Sequence, residues 1–190
     1  LVEEVSWSRL GQITKGAVHQ GIVLQTAASK TLDLKNLIDA CRPFGDKSLL
    51  LALDGLTDPQ NLGAIIRSAE ALGAHGLVLP QRRSAGLTGS VAKVAAGALE
   101  HLPVARVINL NRSLEKLKDE GYMIVGLAQE GDHTLSEVKL DGPLVVVVGA
   151  EDKGISLITR RICDQLVRIP LKGVTTSLNA SVATSIFLYE

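Results

Sequence analysis

Uninterrupted apolar runs of strand length constrain this chain more than any other feature. LLLAL at residues 49–53 and LVVVV at residues 144–148 contain no polar residue. Strands without apolar–polar alternation are typical of a sheet that is covered on both faces. The two runs therefore predict strands in the middle of such a sheet.

From Ser48 onwards, such runs alternate with stretches whose apolar residues recur at helical spacing. Strands are predicted at residues 49–53, 77–79, 104–107, 122–127, 144–148 and 167–169. Helices are predicted at residues 62–72, 91–99, 114–120, 155–165 and 182–189. The alternation predicts a parallel α/β sheet as the main domain, residues 48–190.

Residues 1–47 are mixed in character and precede this domain. Residues 18–24 are predicted as a strand, residues 32–41 as a helix and residues 42–46 as a turn or linker. No chemistry-bearing residues cluster near His19, so we expect it to have a structural or interface role. The chain begins without Met, and we expect it to be a piece of a longer protein.

The composition excludes few functions. The 20 Lys and Arg residues balance the 20 Asp and Glu residues, which gives no global sign of a nucleic-acid or membrane partner but is compatible with a local basic patch. Cys41 and Cys163 lie far apart, without the spacing of a zinc site or a disulfide framework. Two unpaired thiols fit a reducing cytoplasm, and no apolar run reaches the length of a membrane span. We therefore expect a cytoplasmic protein with no metal and no membrane anchor.

Three stretches place polar residues at predicted strand ends, where open α/β sheets bind ligands. The first, residues 54–67, has an ordinary helix start, with Asp58 as the cap and Pro59 in the first turn. Asn61 lies in that first turn and faces the expected crevice. Arg67 lies on the polar side of the helix, where a guanidinium could meet a phosphate or a sugar hydroxyl.

The other two stretches follow later strands. Residues 145–154 are a buried strand that ends in Gly149, which permits close approach of a ligand to the backbone, and Glu151 follows. Residues 167–190 carry Ser-Leu-Asn-Ala-Ser before the last predicted helix, and one cap would be enough to start it. The chain has neither a G-x-G-x-x-G fingerprint nor a Walker loop, which weakens the case for NAD or ATP chemistry.

Together, the segments DPQNLGAIIRSAEALG, VVVVGAEDKGIS and IPLKGVTTSLNASVA resemble motifs one, two and three of the SpoU group of RNA ribose 2′-O-methyltransferases, in the SPOUT superfamily. The resemblance covers residues 48–190. GAVHQGIVL, residues 16–24, resembles the junction between a small N-terminal RNA-binding domain and the catalytic domain in the RlmB/TrmH-like branch. By this resemblance, residues 1–47 are the remnant of that RNA-binding domain plus a linker.

The resemblance implies a parallel-sheet SPOUT fold whose C-terminal segment forms a deep trefoil knot, which general topological rules alone would argue against. It also implies S-adenosyl-L-methionine as the cofactor and a homodimer in which the knotted helices pack together. By motif position, the residues that bind or border the cofactor are Gly149, Ile169, Leu171, Leu178 and Asn179.

The implied reaction is methylation of a ribose 2′-hydroxyl. The junction segment favours a guanosine of large-subunit (23S) rRNA, and tRNA is the alternative substrate. The implied catalytic residues are Arg67, Asn61, Glu151, Ser177 and Asn179. In the family, the arginine is proposed to activate the hydroxyl. Because arginine normally stays protonated, we expect Arg67 to orient the 2′-hydroxyl and the adjacent phosphate.

RNA binding requires a local basic surface in a chain without net charge. Arg82 and Arg83, just past a predicted strand end, are the best candidates, and Lys93 and Arg112 could extend their surface. Two rival functions stay open. A non-catalytic RNA-binding protein of the same fold is disfavoured by the intact motif residues, and a Rossmann-class redox or nucleotide enzyme is disfavoured by the missing glycine fingerprint.

Overall fold

A computed structural model describes residues 2–14, 16–23 and 31–190. Its strands are β1 Leu49–Asp54, β2 Gly76–Pro80, β3 Val104–Val107, β4 Met123–Leu127, β5 His133–Thr134, β6 Leu144–Gly149 and β7 Gln165–Arg168. Its α-helices are α1 Trp7–Ile13, α2 Leu34–Cys41, α3 Pro59–Ala71, α4 Gly89–Ala95, α5 Leu110–Asp119, α6 Leu157–Ile162 and α7 Ala180–Tyr189. The strands form one parallel sheet in the order β3-β2-β1-β6-β4-β7-β5, which confirms the predicted α/β class.

The two uninterrupted apolar runs, residues 49–53 and 144–148, form the neighbouring strands β1 and β6 in the middle of the sheet. They pair in register from Leu49 opposite Leu144 to Asp54 opposite Gly149. The chain builds the sheet outward from β1 towards β2 and β3, whereas β4, β7 and β5 lie on the other side of β6. In open α/β sheets, a crevice forms at the carboxyl ends of the strands where the winding direction changes. That point here is the pair β1 and β6.

Helices cover both faces of the sheet. One face packs against α3, α4 and α7, and the other against α2, α5 and α6. Gly63 lets α3 approach α4 closely, because a Cβ atom there would lie 2.6 Å from Cβ of Val94. Helix α7 lies along α3, and the hydroxyl of Ser185 donates a hydrogen bond to the hydroxyl of Ser68 at 2.8 Å.

Several element boundaries differ from the prediction for local reasons. Helix α4 ends at Ala95 rather than at residue 99, because Ala96 and Gly97 adopt the left-handed conformation, with φ of 50° and 93°. Helix α5 begins earlier than predicted, after Asn109, whose side chain caps it. Helix α6 is shorter than the predicted 155–165, since it starts after its own cap, Ser156. Strand β5 has only two residues, His133 and Thr134, and contains no apolar run from which a strand could be predicted.

The predicted strand at residues 18–24 is wrong over its described part. Residues 18–23 form turns and irregular backbone, and Leu24 lies outside the described residues. The ring of His19 packs against Trp7 with ring centroids 4.9 Å apart, which agrees with a structural role. The predicted helix 32–41 corresponds to α2, while Leu32 forms a parallel bridge to Ala105.

Both cysteines carry free thiols. Cys41 is buried and Cys163 is partly buried. Burial raises the pKa of the Cys163 thiol to about 11, so this thiol stays protonated at neutral pH. Within the described ranges, no helix is long and apolar enough to cross a membrane.

Candidate active site

The first predicted stretch forms the joint between β1 and α3. The carboxylate of Asp58 accepts hydrogen bonds from the backbone N–H groups of Gln60 and Asn61, both at 3.1 Å, as expected for a helix cap. Pro59 occupies the first position of the helix. This cap holds Asn61 in the first turn of α3, where its side chain is 6 % exposed and faces the carboxyl edge of the sheet.

The second stretch forms a tight return after β6. The backbone N–H of Gly154 donates to the carbonyl of Ala150 at 2.7 Å, so the loop folds back over the end of the strand. A Cβ atom on Gly149 would lie 2.1 Å from the carbonyl carbon of Gly154. We expected a glycine here to admit a ligand, but the backbone that comes closest belongs to the protein itself.

The third stretch begins α7. The side-chain oxygen of Asn179 accepts hydrogen bonds from the backbone N–H groups of Ser181 at 2.9 Å and Val182 at 3.3 Å, so Asn179 caps the helix. Its side-chain nitrogen is left to donate elsewhere. The cap and the site therefore use different atoms of the same amide.

These three stretches meet in one hydrogen-bonded cluster, which we call the polar triangle: Asn61, Glu151 and Asn179. Nδ2 of Asn61 donates to Oε1 of Glu151 at 2.8 Å, and Nδ2 of Asn179 donates to Oδ1 of Asn61 at 2.8 Å and also to Oε1 of Glu151. The backbone N–H of Ala180 reaches the same carboxylate oxygen at 3.4 Å. Two amides and a helix N-terminus thus fix the carboxylate of Glu151.

A cavity of about 320 Å³ opens beside the triangle. Its lining includes six residues predicted from the sequence: Gly149, Glu151, Ile169, Leu171, Ser177 and Leu178. Apolar side chains from the segment after β7 face polar groups from the loop after β6. Asn61 and Asn179 do not line this cavity. They are connected to its lining by their hydrogen bonds to Glu151.

The predicted arginines lie apart from the cavity. Arg67 is exposed on α3, six residues after Asn61 and so about 9 Å further along the helix axis. Arg82 and Arg83 are exposed in the loop that follows β2. None of the three lines the cavity, and the cluster that the structure assembles within this chain holds Asn61 but not Arg67.

One ion pair of the cavity wall was not predicted from the sequence. Glu130, in the loop after β4, forms an ion pair with Arg160 of α6, and both side chains line the cavity. The available signal was topological: β4 neighbours β6, so the loop after β4 has to lie beside the loop after β6. No motif marked these residues. Among the residues described, no group of three or more His, Cys, Asp or Glu side chains is arranged to hold a metal ion.

Fold and site together define a parallel α/β protein with a cavity at the carboxyl ends of the neighbouring strands β6, β4 and β7. Residues 48–189 match the model of the SpoU rRNA Methylase family. The chain therefore belongs to the SpoU rRNA methylase family.

Proteins of similar sequence carry related names. An uncharacterized tRNA/rRNA methyltransferase of Synechocystis is 53 % identical over 190 residues, all of this chain and 50 % of that protein. The 23S rRNA (guanosine-2′-O-)-methyltransferase RlmB of Escherichia coli strain K12 is 46 % identical over 181 residues, 95 % of this chain and 74 % of that protein. The chain spans between half and two thirds of the length of the first relatives it matches.

Solved structures show the same fold. The SpoU methyltransferase AviRb from Streptomyces viridochromogenes superposes with a TM-score of 0.76 at 31 % identity, over 84 % of this chain and 62 % of that one. An AdoMet-bound rRNA methyltransferase from Sinorhizobium meliloti superposes with a TM-score of 0.75 at 27 % identity, over 84 % of this chain and 59 % of that one.

Proposed function

We propose that this protein is an S-adenosyl-L-methionine-dependent methyltransferase that methylates the ribose 2′-hydroxyl of a guanosine in large-subunit (23S) rRNA. The observation that carries the proposal is the polar triangle, which joins all three SpoU motifs beside a cavity of ligand size. Similarity to RlmB, named for this reaction in Escherichia coli, supports the substrate.

The cavity has the chemistry that a nucleoside sulfonium cofactor requires. Ile169, Leu171 and Leu178 provide apolar surface for an adenine ring, and the loop after β6 provides backbone groups and the carboxylate of Glu151. AviRb has also been crystallised with AdoMet, which supports the assignment. When bound, the cofactor supplies an electrophilic methyl group. We propose that Gly149, Ile169, Leu171 and Leu178 hold it, with Asn179 beside it.

The chain's own polar residues would position the ribose. Asn61 and Asn179 both donate to Glu151, so this carboxylate is held rigidly at the cavity mouth, where Ser177 also lies. Fixing a hydroxyl in line with a methyl donor can supply a large part of a rate enhancement. We assign Arg67 to orienting the 2′-hydroxyl and the neighbouring phosphate, because a guanidinium donates well to oxygen anions and stays protonated.

A second copy of the chain would complete this site. Arg67 is separated from the cavity of its own chain, so one protomer alone does not bring it to the polar triangle. An open groove of about 480 Å³ lies between the end of α3 and α7. It is lined by Leu72, Val182, Ile186 and Tyr189. Val182 and Ile186 are 47 % and 41 % exposed, which is typical of an unfilled interface. We propose that α7 packs against α7 of a partner in a homodimer.

The path of the last segment supports the predicted trefoil knot. Strand β7 lies between β4 and β5, whereas α7 lies on α3 and begins at Glu151 beside β6. The connection therefore crosses back over the carboxyl edge, lines the same cavity as the loop after Gly149, and ends at Asn179, which bonds to Glu151 of that loop. We propose that it threads through the chain there, and an experimentally determined structure traced from residue 128 to residue 180 tests it.

We propose that Arg82 and Arg83 bind RNA phosphates, because both are exposed just past a strand end on the edge that holds the cavity. Replacing both by Ala should weaken RNA binding several-fold and reduce its salt dependence. Unchanged binding at all salt concentrations would remove them from the interface. We also infer the cytoplasm as the location, where rRNA is found and thiols stay reduced.

The test of the function is methyl transfer from labelled S-adenosyl-L-methionine to separate pools of unmodified rRNA and tRNA, with the full-length protein. Label in 23S rRNA at one position, resistant to alkaline cleavage, supports the proposal. The relatives named tRNA/rRNA methyltransferases make tRNA the second candidate, and label in tRNA alone would favour it. Cofactor binding without label would point to another RNA, whereas no cofactor binding would favour a non-catalytic RNA-binding protein.

A further inference from the structure

We propose that Glu130, held in place by Arg160, accepts hydrogen bonds from the ribose hydroxyl groups of the bound nucleoside cofactor. This inference rests on the proposed function, since it assigns a role towards the same ligand. It adds a residue that lies outside all three sequence motifs.

The geometry places Glu130 on the cavity wall, in the loop after β4, which lies beside the end of β7. Its loop follows β4, and its side chain is 52 % exposed, so the carboxylate is open towards the cavity. Two other carboxylates line the cavity: Glu151, which is already held by Asn61 and Asn179, and Asp152, which is exposed in the loop after β6. Glu130 has no such amide partners among the described residues and keeps acceptor capacity for a ligand.

Arg160 fixes this carboxylate to the loop after β6. Its guanidinium pairs with Glu130, and its Nε donates to the backbone carbonyl of Ile155 at 2.8 Å. The side chain of Arg160 is only 24 % exposed, so its position is well determined by its neighbours. The arginine thus connects the loop after β4 to the loop after β6, which form two walls of one cavity.

The charges of Glu130 and Arg160 determine which ligand groups Glu130 can bind. A carboxylate that already faces a guanidinium has much of its charge compensated, yet it retains several lone pairs. Such a group is suited to accepting hydrogen bonds from neutral hydroxyls more than to holding a second cation. Of the donors on a nucleoside sulfonium, the ribose hydroxyls and the adenine amino group are neutral, whereas the amino-acid ammonium is cationic. The adenine is assigned to the apolar surface of Ile169, Leu171 and Leu178. The ribose hydroxyls therefore match Glu130.

The experiment is calorimetric titration of the full-length protein and its E130Q variant with two product-like ligands. S-Adenosylhomocysteine has both the ribose and the amino-acid ammonium, whereas 5′-methylthioadenosine has only the ribose. We expect E130Q to lower the affinity for both ligands by a similar factor, about 10-fold, because each complex loses a hydrogen bond to a charged group. The matched control is Glu115→Gln, which makes the same chemical change at an exposed position of α5 outside the cavity lining and should leave both affinities within about 2-fold.

A ligand without hydroxyls sharpens the test. The 2′,3′-dideoxy form of methylthioadenosine should bind the wild type more weakly than methylthioadenosine, and E130Q should show little of that difference. Arg160→Lys, which keeps the charge but loses the planar fork, should weaken the hydroxyl-bearing ligands while thermal stability stays close to that of the wild type.

The outcomes separate the possibilities. If E130Q lost affinity only for S-adenosylhomocysteine, Glu130 would face the ammonium, and the inference would be overturned. Unchanged affinities in E130Q would also overturn it, while leaving the proposed function intact. Failure of the wild type to bind any of these nucleosides would overturn the proposed function itself.

Discussion

Two strand-to-helix joints lie side by side in the middle of the sheet and are held differently. In the first joint, residues 54–61, Asp58 accepts from the two backbone N–H groups that begin α3. The second joint, residues 149–156, has a local hydrogen bond from the Gly154 N–H to the Ala150 carbonyl and is also held from a distance. Its Ser156 N–H donates at 2.8 Å to the carboxylate of Asp54, 102 residues earlier in the chain.

The site is built on the second joint. Glu151 lies within it and accepts hydrogen bonds from Asn61 of the first joint and from Asn179, the cap of α7. A joint with local partners can form as soon as its helix forms, whereas a joint with remote partners needs the whole sheet in place. We therefore expect a change at Gly149 in the second joint to spread to the site, and a change at Asp58, the cap in the first joint, to stay local.

The largest effect is expected at Gly149. A Cβ atom there would lie 2.1 Å from backbone carbon of Gly154, and backbone cannot rotate away as a side chain can. Gly149→Ala should lower the free energy of unfolding by about 3 kcal/mol or more, as for severe overpacking, and should abolish cofactor binding. Urea unfolding and calorimetry measure the two effects.

The matched control for Gly149 is Gly89 in α4, where an added Cβ meets nothing within 4 Å. Gly89→Ala should be neutral or stabilise the protein by up to about 1 kcal/mol, because alanine is the better helix former. If the two variants were equally stable, the backbone of the second joint would be able to shift at little cost in free energy. The proposed difference between the two joints would then be wrong.

Next in size is the effect of Arg67→Ala on catalysis. Arg67 is exposed and belongs to neither joint, so stability should change by less than about 0.5 kcal/mol. Methyl transfer should fall about 100- to 1,000-fold, as for the loss of a group that orients or stabilises the reacting oxygen. Single-turnover assays with saturating cofactor measure this, with exposed Lys35→Ala as the control. Normal turnover in the Arg67 variant would remove it from the reaction.

Asn179 both caps α7 and donates to Glu151, so Asn179→Ala should affect stability and activity together. Loss of the cap of α7 should cost about 1 kcal/mol of stability, and loss of the Nδ2 donor to Glu151 should also weaken cofactor binding and methyl transfer about 10-fold or more. Asn109 caps α5 in the same way, away from the cavity. Asn109→Ala should therefore lose similar stability and keep full activity. If both variants lost activity alike, stability alone would explain the effect of Asn179.

The smallest effect is expected in the first joint. Asp58→Ala removes the cap of α3 and should cost about 1 kcal/mol in urea unfolding, since Pro59 still favours the helix start. Methyl transfer should fall less than about 5-fold, because Asn61 is also held by Glu151 and Asn179. A loss as large as that of Asn179→Ala would mean that the first joint is coupled to the site as strongly as the second.

The features predicted correctly from sequence are those that depend on nearby residues. The apolar runs of β1 and β6 indicated a sheet covered on both faces, and Asp58 with Pro59 marked the start of α3. The errors arose where local signals compete or are weak. Ala96 ends α4 in a conformation that alanine rarely adopts, and the apolar residues near position 18 form no strand because no neighbouring strand pairs with them in the described region.

The site was predicted only through the joint presence of three motifs. Taken singly, Asn61, Glu151 and Asn179 look like an ordinary helix residue, a surface carboxylate and a cap. Glu130 and Arg160 belong to no motif and were missed, because their pairing follows from the neighbourhood of β4 and β6. The separation of Arg67 from the triangle was equally invisible, since spacing along a helix does not show which residues face another part of the chain.

Burial patterns and capping act over a few residues, so the α/β class, the central strands, the helix caps and the residues that could carry chemistry follow from the amino-acid order. Two features emerge only in the folded chain: one carboxylate oxygen of Glu151 accepts from two amides of distant segments, and Gly149 is required by the protein's own backbone. Both arise from hydrogen bonds or steric contacts that depend on distances between segments. Those distances are set by the packing of the whole sheet.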